Sequence, residues 1–415
     1  MSRAGDAARS LRSEGLRSLV WRTAKYAAGR TNPFRAQPLH SVYMDDVIAV
    51  DWTEPHDFTS VPVPRPADGY RIAWLISPPS RTSGGHQNAF RFMKFLEDAG
   101  HRLTVYLYSP ARYPVHSVDE VRRMMAATSA YPDLDAEIRM YDPATGLGPD
   151  GAFDAVFASD WENTYAAYRF GGSAKRFYFV QDFEPAFFPA STEYVLAENS
   201  YRLGFHGFTA GHWLAGKLSA DYGMTCDSYE YAADSSFYHR TNLERRSEVM
   251  FYARPPTPRR ATEFGLLALL ELHRRRPEVV IHLAGWDMSG YDVPFPYVNH
   301  AALDIGRLNE IYNRCAAALV FSLTDMSLLP MEAMASGTTP VVNDGPNTRG
   351  VLDSEFIEYV PMSPKAIADR LEAVIDRPDQ QERSAQMAAA VAGSSWAGLG
   401  ERFAAQFEKA MTASP

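Results

Sequence analysis

The chain has 415 residues, 46% hydrophobic and 22% charged, with a formal net charge of −9. That length exceeds one ordinary core and points to two domains of about 150–200 residues each. The acidic balance argues against a nucleic-acid binder, which would carry a basic stripe. Two cysteines, Cys226 and Cys315, argue against a disulfide framework and fit a reducing compartment. No apolar run approaches the ~20 residues that span a bilayer, and the N-terminus lacks the uninterrupted apolar stretch of a signal peptide. A cytoplasmic protein is expected.

Residues 1–69 read as a basic tail followed by an extended segment. The first 35 residues hold eight basic side chains against Asp6 and Glu14, a balance of +6 that leaves −15 for the remainder. With Leu11, Leu16, Leu19, Val20 and Trp21 among the arginines, this tail has the chemistry to lie on an anionic membrane surface, or to stand as a solvated tail. The proline-rich stretch 36–69 offers one strand candidate, "VIAVDW".

From residue 70 strands and helices alternate. "YRIAWLIS" predicts a strand, "NAFRFMKFLEDAG" a helix and "RLTVYLY" a strand. The order repeats with a helix near 118–128, then "AEIRMYD", "FDAVFAS", the helix "ENTYAAYRF" and the strand "KRFYFVQ". Residues 230–248 are polar and read as an interdomain link. The alternation restarts with "EVMFYAR", the helix "ATEFGLLALLELHRRR", "VVIHLAGW", a helix at 307–315, "AALVFSL", the helix "PMEAMASG", "TTPVVND" and a helix at 364–376. Such alternation predicts an α/β protein of two doubly wound Rossmann-like domains, over 70–240 and 241–392, with a last amphipathic helix in 393–415. Ligands of such sheets sit off the carboxyl ends of the strands.

Four loops at those ends carry chemistry. "SPPSRTSGGHQ" places Gly84 and Gly85 at a helix start, where bare backbone can approach an anion, although a tight turn would also use glycine. "YFVQDFEPAFFP" sets Gln181, Asp182 and Glu184 between apolar runs, so the two carboxylates should be desolvated and differ in proton affinity. "YARPPTPRR" holds Arg254, Arg259 and Arg260 among three prolines, a preorganised set of guanidiniums suited to a diphosphate. "SLLPMEAMASG" starts a helix near Ser327 and Leu328 and puts Glu332 about one turn in, where it can accept a pair of sugar hydroxyls.

Taken together, "LLPMEAMASGTTPVV", the arginines 254 and 259, the Ser83–Gly85 loop and Gln181-Asp182 resemble the two-Rossmann (GT-B) retaining glycosyltransferases of family 4. Within it, "PPS…SGGH", "FVQDFEP" and "FYARP…PRR" are similar to bacterial rhamnosyltransferases that use dTDP-β-L-rhamnose. The resemblance spans residues 70–376. It implies that Arg254 and Arg259 hold the donor diphosphate and that Ser327 and Leu328 offer backbone N–H groups to it. Glu332 would bind the nucleoside sugar, Gly84 and Gly85 the donor from the opposite wall, and Gln181 the donor sugar. Asp182 would face the acceptor hydroxyl or the anomeric centre. Two positions depart from the family. Thr324 stands where the first Glu of its Glu-x7-Glu pair belongs, with Asp325 adjacent, and Gln181 replaces its His.

The implied reaction moves a hexosyl unit, L-rhamnose by resemblance, from a nucleoside diphosphate to a hydroxyl of a glycan or lipid-linked glycan, with retention. No metal or cofactor is expected, because the arginines supply positive charge, and Asp133-Leu134-Asp135 precedes a strand and reads as surface. A nucleotide-sugar epimerase, an inverting transferase and a catalytically silent binding module share the architecture and stay open at this point. The last helix, by the same resemblance, would cross back to the first domain.

Overall fold

Strand pairing sorts the chain into two sheets in which every pairing between neighbouring strands is parallel. The first holds β1 (Arg71–Ile76), β2 (Arg102–Leu107), β3 (Glu137–Met140), β4 (Ala155–Ala158), β5 (Lys175–Val180), β6 (His206–Ala210) and β7 (Cys226–Tyr229), in the order β3-β2-β1-β4-β5-β6-β7. The second holds β8 (Glu248–Tyr252), β9 (Ile281–Ala284), β10 (Val298–Ala301), β11 (Cys315–Val320), β12 (Thr339–Asn343) and β13 (Glu358–Val360), in the order β10-β9-β8-β11-β12-β13. The computed structural model describes residues 40–58, 62–81, 83–110, 117–171, 173–301, 303, 305–326, 328–393 and 395–413. The basic tail and Ser327, both assigned roles above, lie outside them.

β5 and β11 are buried at every position, as strands must be when helices cover both faces of a parallel sheet. On one face of the first sheet, helix Gly84–Asp98 packs through Phe92 and Met93 beside helix Trp396–Thr412, which contributes Phe403 and Phe407. That last helix therefore belongs to the core of the first sheet. Its end is held there by Lys175, whose Nζ donates to Ala410 O at 2.7 Å and Ala413 O at 2.9 Å. The described residues within 42–109 and 117–413 form one compact unit.

The strand orders reverse between β1 and β4 and between β8 and β11. The crevices at these switch points are where open α/β sheets bind ligands. They are walled by the loops after β1 and β4 in the first sheet and by the loops after β8 and β11 in the second.

One expectation is overturned. "VIAVDW" is not a strand: Met44–Ile48 is a short helix. Asp46 in its first turn is fully buried, and its carboxylate accepts from Tyr141 Oη at 2.8 Å and pairs with Arg169. A carboxylate so enclosed needs those partners, and they fix this segment as a helical plug against the first sheet. Asp133 and Asp135 are exposed ahead of β3, as expected.

Candidate active site

The loops off the strand ends converge on a cavity of about 390 Å³, lined by Gly84, Gly85, Gln181, Asp182, Glu184, Arg254, Arg259, Arg260, Leu328 and Glu332. All the candidate residues within the described part of the chain are thus brought together. A second space of about 600 Å³ shares Tyr238, Tyr252, Arg254 and Glu332 with the first and runs to Ala284 and Gly285 at the end of β9. Gly285 has φ +103°, and a Cβ there would stand 2.8 Å from the Tyr252 ring, so only glycine keeps that wall in place.

The arginine loop is built by its prolines. Pro258–Arg260 makes one turn of 3-10 helix, and Ala261 follows in the left-handed region at φ 46° before helix Thr262–Arg275 begins. A non-glycine residue held there is an uncommon conformation, and it swings the chain so that both arginines face inward. Arg259 Nε lies 3.2 Å from Asp182 Oδ2, and its guanidinium stacks 3.9 Å over the Phe187 ring. Arg260 donates to Phe321 O at 3.4 Å, and burial followed by the charge of Arg259 lowers its pKa. Arg254 reaches Tyr252 Oη at 3.3 Å. Three cations crowd one wall, which costs energy unless an anion is shared among them.

Three acids oppose them. Burial raises the pKa of Asp182, countered chiefly by Arg259 and then by Thr324 and Arg260. Asp325, one residue after Thr324, is pushed well above the usual carboxylate range, first by burial and then by the charge of Asp182. Glu332 is pushed up to about 7 by burial, with Tyr238 and Arg91 drawing it back down. Among the described residues, Asp325 Oδ2 and Glu332 Oε2 are buried with no hydrogen-bond partner. Such orphaned oxygens are destabilising by roughly 1–3 kcal/mol each, and a hydroxyl-bearing ligand would satisfy them.

Gly84 and Gly85 do not serve a tight turn. Neither has positive φ; both open helix Gly84–Asp98. A Cβ on Gly84 would meet nothing within 4 Å, and one on Gly85 would stand 3.7 Å from Gln181 Nε2. Their bare backbone leaves room beside Gln181, whose Oε1 accepts from Asn88 Nδ2 at 3.1 Å. Leu328 caps helix Leu329–Ala335 beside Glu332.

Glu184 differs from its expected place. One carboxylate oxygen, Oε2, accepts from Trp161 N at 2.7 Å and Tyr178 Oη at 2.6 Å, and burial pushes its pKa well above the ordinary value. It lines the cavity but spends its carboxylate on bracing the start of helix Trp161–Arg169. Residues missed by sequence reasoning also line the site. His86 sits 3.0 Å from Ser77 O and 2.6 Å from Ser83 Oγ, and Arg91 pairs with Asp234 at 3.7 Å while stacking 4.1 Å over Trp396. The "SGGH" run could have flagged His86; nothing local could have flagged Arg91.

Comparison with known proteins bears on the domains and the fold. Residues 247–372 match the family model described as WsaF, C-terminal domain, and residues 152–208 match WsaF, N-terminal domain. Over 207 residues the chain is 36% identical to the O-antigen biosynthesis protein RfbC of Myxococcus xanthus, a match covering 48% of this chain and 16% of that protein. The chain thus spans only a small part of that relative's length. Among solved structures, TarM superposes with a TM-score of 0.64 at 7% identity, covering 83% of this chain and 99% of that one. Anabaena HepE in complex with UDP and glucose gives 0.61 at 12%, covering 82% and 100%. Sucrose-phosphate synthase from Thermosynechococcus elongatus gives 0.61 at 11%, covering 83% and 100%. These likenesses show the fold, which is GT-B. The two family matches fall one on each sheet of that fold, residues 152–208 on the first and residues 247–372 on the second.

Proposed function

We propose that the chain is a glycosyltransferase that moves a hexosyl unit from a nucleoside diphosphate sugar to a hydroxyl of a glycan acceptor, with retention of configuration. The observation that carries this reading is the meeting of Arg254, Arg259 and Arg260 with Asp182 and Glu332 in one cavity off two sets of strand ends. In the proposed reaction the bond from the anomeric carbon to the diphosphate oxygen breaks. Positive charge develops on the sugar and negative charge on the departing diphosphate. The guanidiniums stabilise that charge where it grows, which is a large share of catalysis in such sites. They also supply the positive charge that a metal would otherwise bring.

The diphosphate lies on the arginine wall and the nucleoside in the adjoining space toward Gly285, with Glu332 accepting from its sugar. Asp182 faces the anomeric centre, Gln181 contacts the transferred sugar, and Asp325 meets a sugar hydroxyl from the place left by Thr324. Retention follows if the acceptor attacks from the diphosphate side, passing its proton to the leaving oxygen. The donor we propose is dTDP-β-L-rhamnose, on the strength of the loop sequences; the name of the Myxococcus relative, an O-antigen biosynthesis protein, supports a surface polysaccharide as acceptor.

The test is to incubate purified protein with a panel of nucleotide sugars and oligosaccharide acceptors and to analyse products by mass spectrometry and NMR. An acceptor enlarged by one deoxyhexose in β-linkage, the configuration of the donor, supports the reading, whereas an α-linkage would mean inversion. Free epimerised donor with no enlarged acceptor would assign the cavity to a different nucleotide-sugar reaction.

A further inference from the structure

At the opposite edge of the second sheet, where β8, β9 and β11 begin, three unlike side chains share one face. Cys315 pairs in register with Glu248, and Met250 with His282. Because alternate residues of a strand point the same way, Glu248 and Met250 face one side together with His282 and Cys315. His282 and Cys315 are fully buried. One ligand-capable atom from each of Glu248, His282 and Cys315 lies within 4.8 Å of the other two, among the described residues.

We propose that Glu248, His282 and Cys315 form a binding site for a divalent transition metal of the zinc class, clipping three neighbouring strands at their amino ends. The donor set is one carboxylate oxygen, one imidazole nitrogen and one sulfur, a combination that suits zinc or cobalt and not magnesium or calcium. His282 Nε2 lies 2.6 Å from Glu248 Oε2. An ion bonding both at about 2.0–2.2 Å, and sulfur at about 2.3 Å, needs only small side-chain rotations to enter between them.

The surroundings support the same assignment. His282 Nδ1 is 2.8 Å from His300 Nε2. Nε2–H donates to Glu248 without a metal; an ion would take that proton's place, and the ring, turned to its Nδ1–H tautomer, would then donate to His300, the kind of outer hydrogen bond that fixes a metal-bound histidine. Arg314 forks onto Glu248, Nε to Oε2 at 3.0 Å and Nη2 to Oε1 at 3.1 Å, which orients the carboxylate. Glu248 is part-exposed and Arg314 largely so, giving an entry path for an ion and a water as fourth ligand. A free thiol carries its proton at neutral pH. Binding releases that proton to solvent and leaves a thiolate. Two metal charges, the guanidinium, the carboxylate and the thiolate then sum to a modest net +1.

The full chain titrated with Co2+ tests this. The proposal expects one equivalent bound with a thiolate-to-cobalt charge-transfer band, displaced by Zn2+, retained in Cys226→Ser and lost in Cys315→Ser. His300→Phe should keep the band but weaken affinity about 10–100-fold. Zn2+ should raise the thermal midpoint of the wild type, and a chelator should reverse this. Absence of the band in folded wild-type protein, or a band that follows Cys226 instead, overturns the proposal. The wild-type titration decides even where Cys315→Ser does not fold.

Discussion

Asp182 at the carboxyl end of β5 and Arg259 in the loop after β8 form an ion pair, Oδ2 to Nε 3.2 Å, that joins the ends of the two sheets. The pair leaves Arg259 inside the cavity and stacked on Phe187. A donor diphosphate would draw the guanidinium partly away from Asp182. Arg259→Ala should therefore lower kcat/KM by about 2–4 kcal/mol, some 30- to 1000-fold, as expected for losing a charge-assisted donor. The pair is mostly buried, its side chains 27% and 13% exposed, so removing Arg259 strips Asp182 of its chief partner and should also lower stability by about 1–3 kcal/mol. Steady-state kinetics beside urea unfolding checks both; unchanged kcat/KM removes Arg259 from the reaction.

Asp182→Ala separates binding from turnover. It frees Arg259 and removes a negative charge from the diphosphate's surroundings, so dTDP should bind several-fold more tightly while sugar transfer disappears. Calorimetry and a product assay read the two effects. Weaker dTDP binding together with retained transfer would mean that Asp182 serves neither purpose.

Glu332 sets a pH dependence. Its folded pKa of about 7 lies above the ordinary 4.5, so the folded state binds the proton more tightly than the unfolded chain. That stabilisation is fully present below the unfolded value and is lost as pH rises through about 7. Over the window it amounts to at most roughly 3 kcal/mol. Glu332→Gln should flatten the stability profile between about pH 5 and 8 and weaken nucleotide binding above pH 7, where the wild-type carboxylate is ionised. Parallel unfolding profiles for the two proteins would contradict the assignment.

The last helix should be indispensable to the first sheet. Phe407 is fully buried and meets the rings of Tyr70, His101, Phe157 and Phe177. Phe407→Ala should cost about 3–5 kcal/mol, seen as a large drop in the urea midpoint. A change under about 1 kcal/mol would show that the helix is not part of that core.

Most of the fold was legible because parallel strands buried on both faces write themselves as apolar runs such as "RIAWLI" and "AALVF". β6, with His206 and Gly207, and β7, "CDSY", carry no such run, so their pattern does not announce strands. "VIAVDW" misled for the opposite reason: its apolar letters suit a strand, while its first two residues only end the helix Met44–Ile48, which Asp46 anchors to partners 95 and 123 residues away. The lining of the cavity was legible wherever unusual residues crowd a strand's end, as at 181–184 and 254–260. Glu184 shows the limit, since only the fold turns its carboxylate toward Trp161 and Tyr178. Arg91 and Trp396 meet through packing of distant helices, a relationship with no local signature.

The central claim is that the guanidiniums after β8 hold a pyrophosphate. Its most direct test is calorimetric titration of the wild type and of the Arg254→Ala/Arg259→Ala double variant with dTDP, UDP and the free nucleosides. We expect the wild type to prefer a nucleoside diphosphate over its nucleoside by at least about tenfold, or 1.4 kcal/mol, and the double variant to lose that preference. Equal affinity of both proteins for the diphosphate would contradict the account.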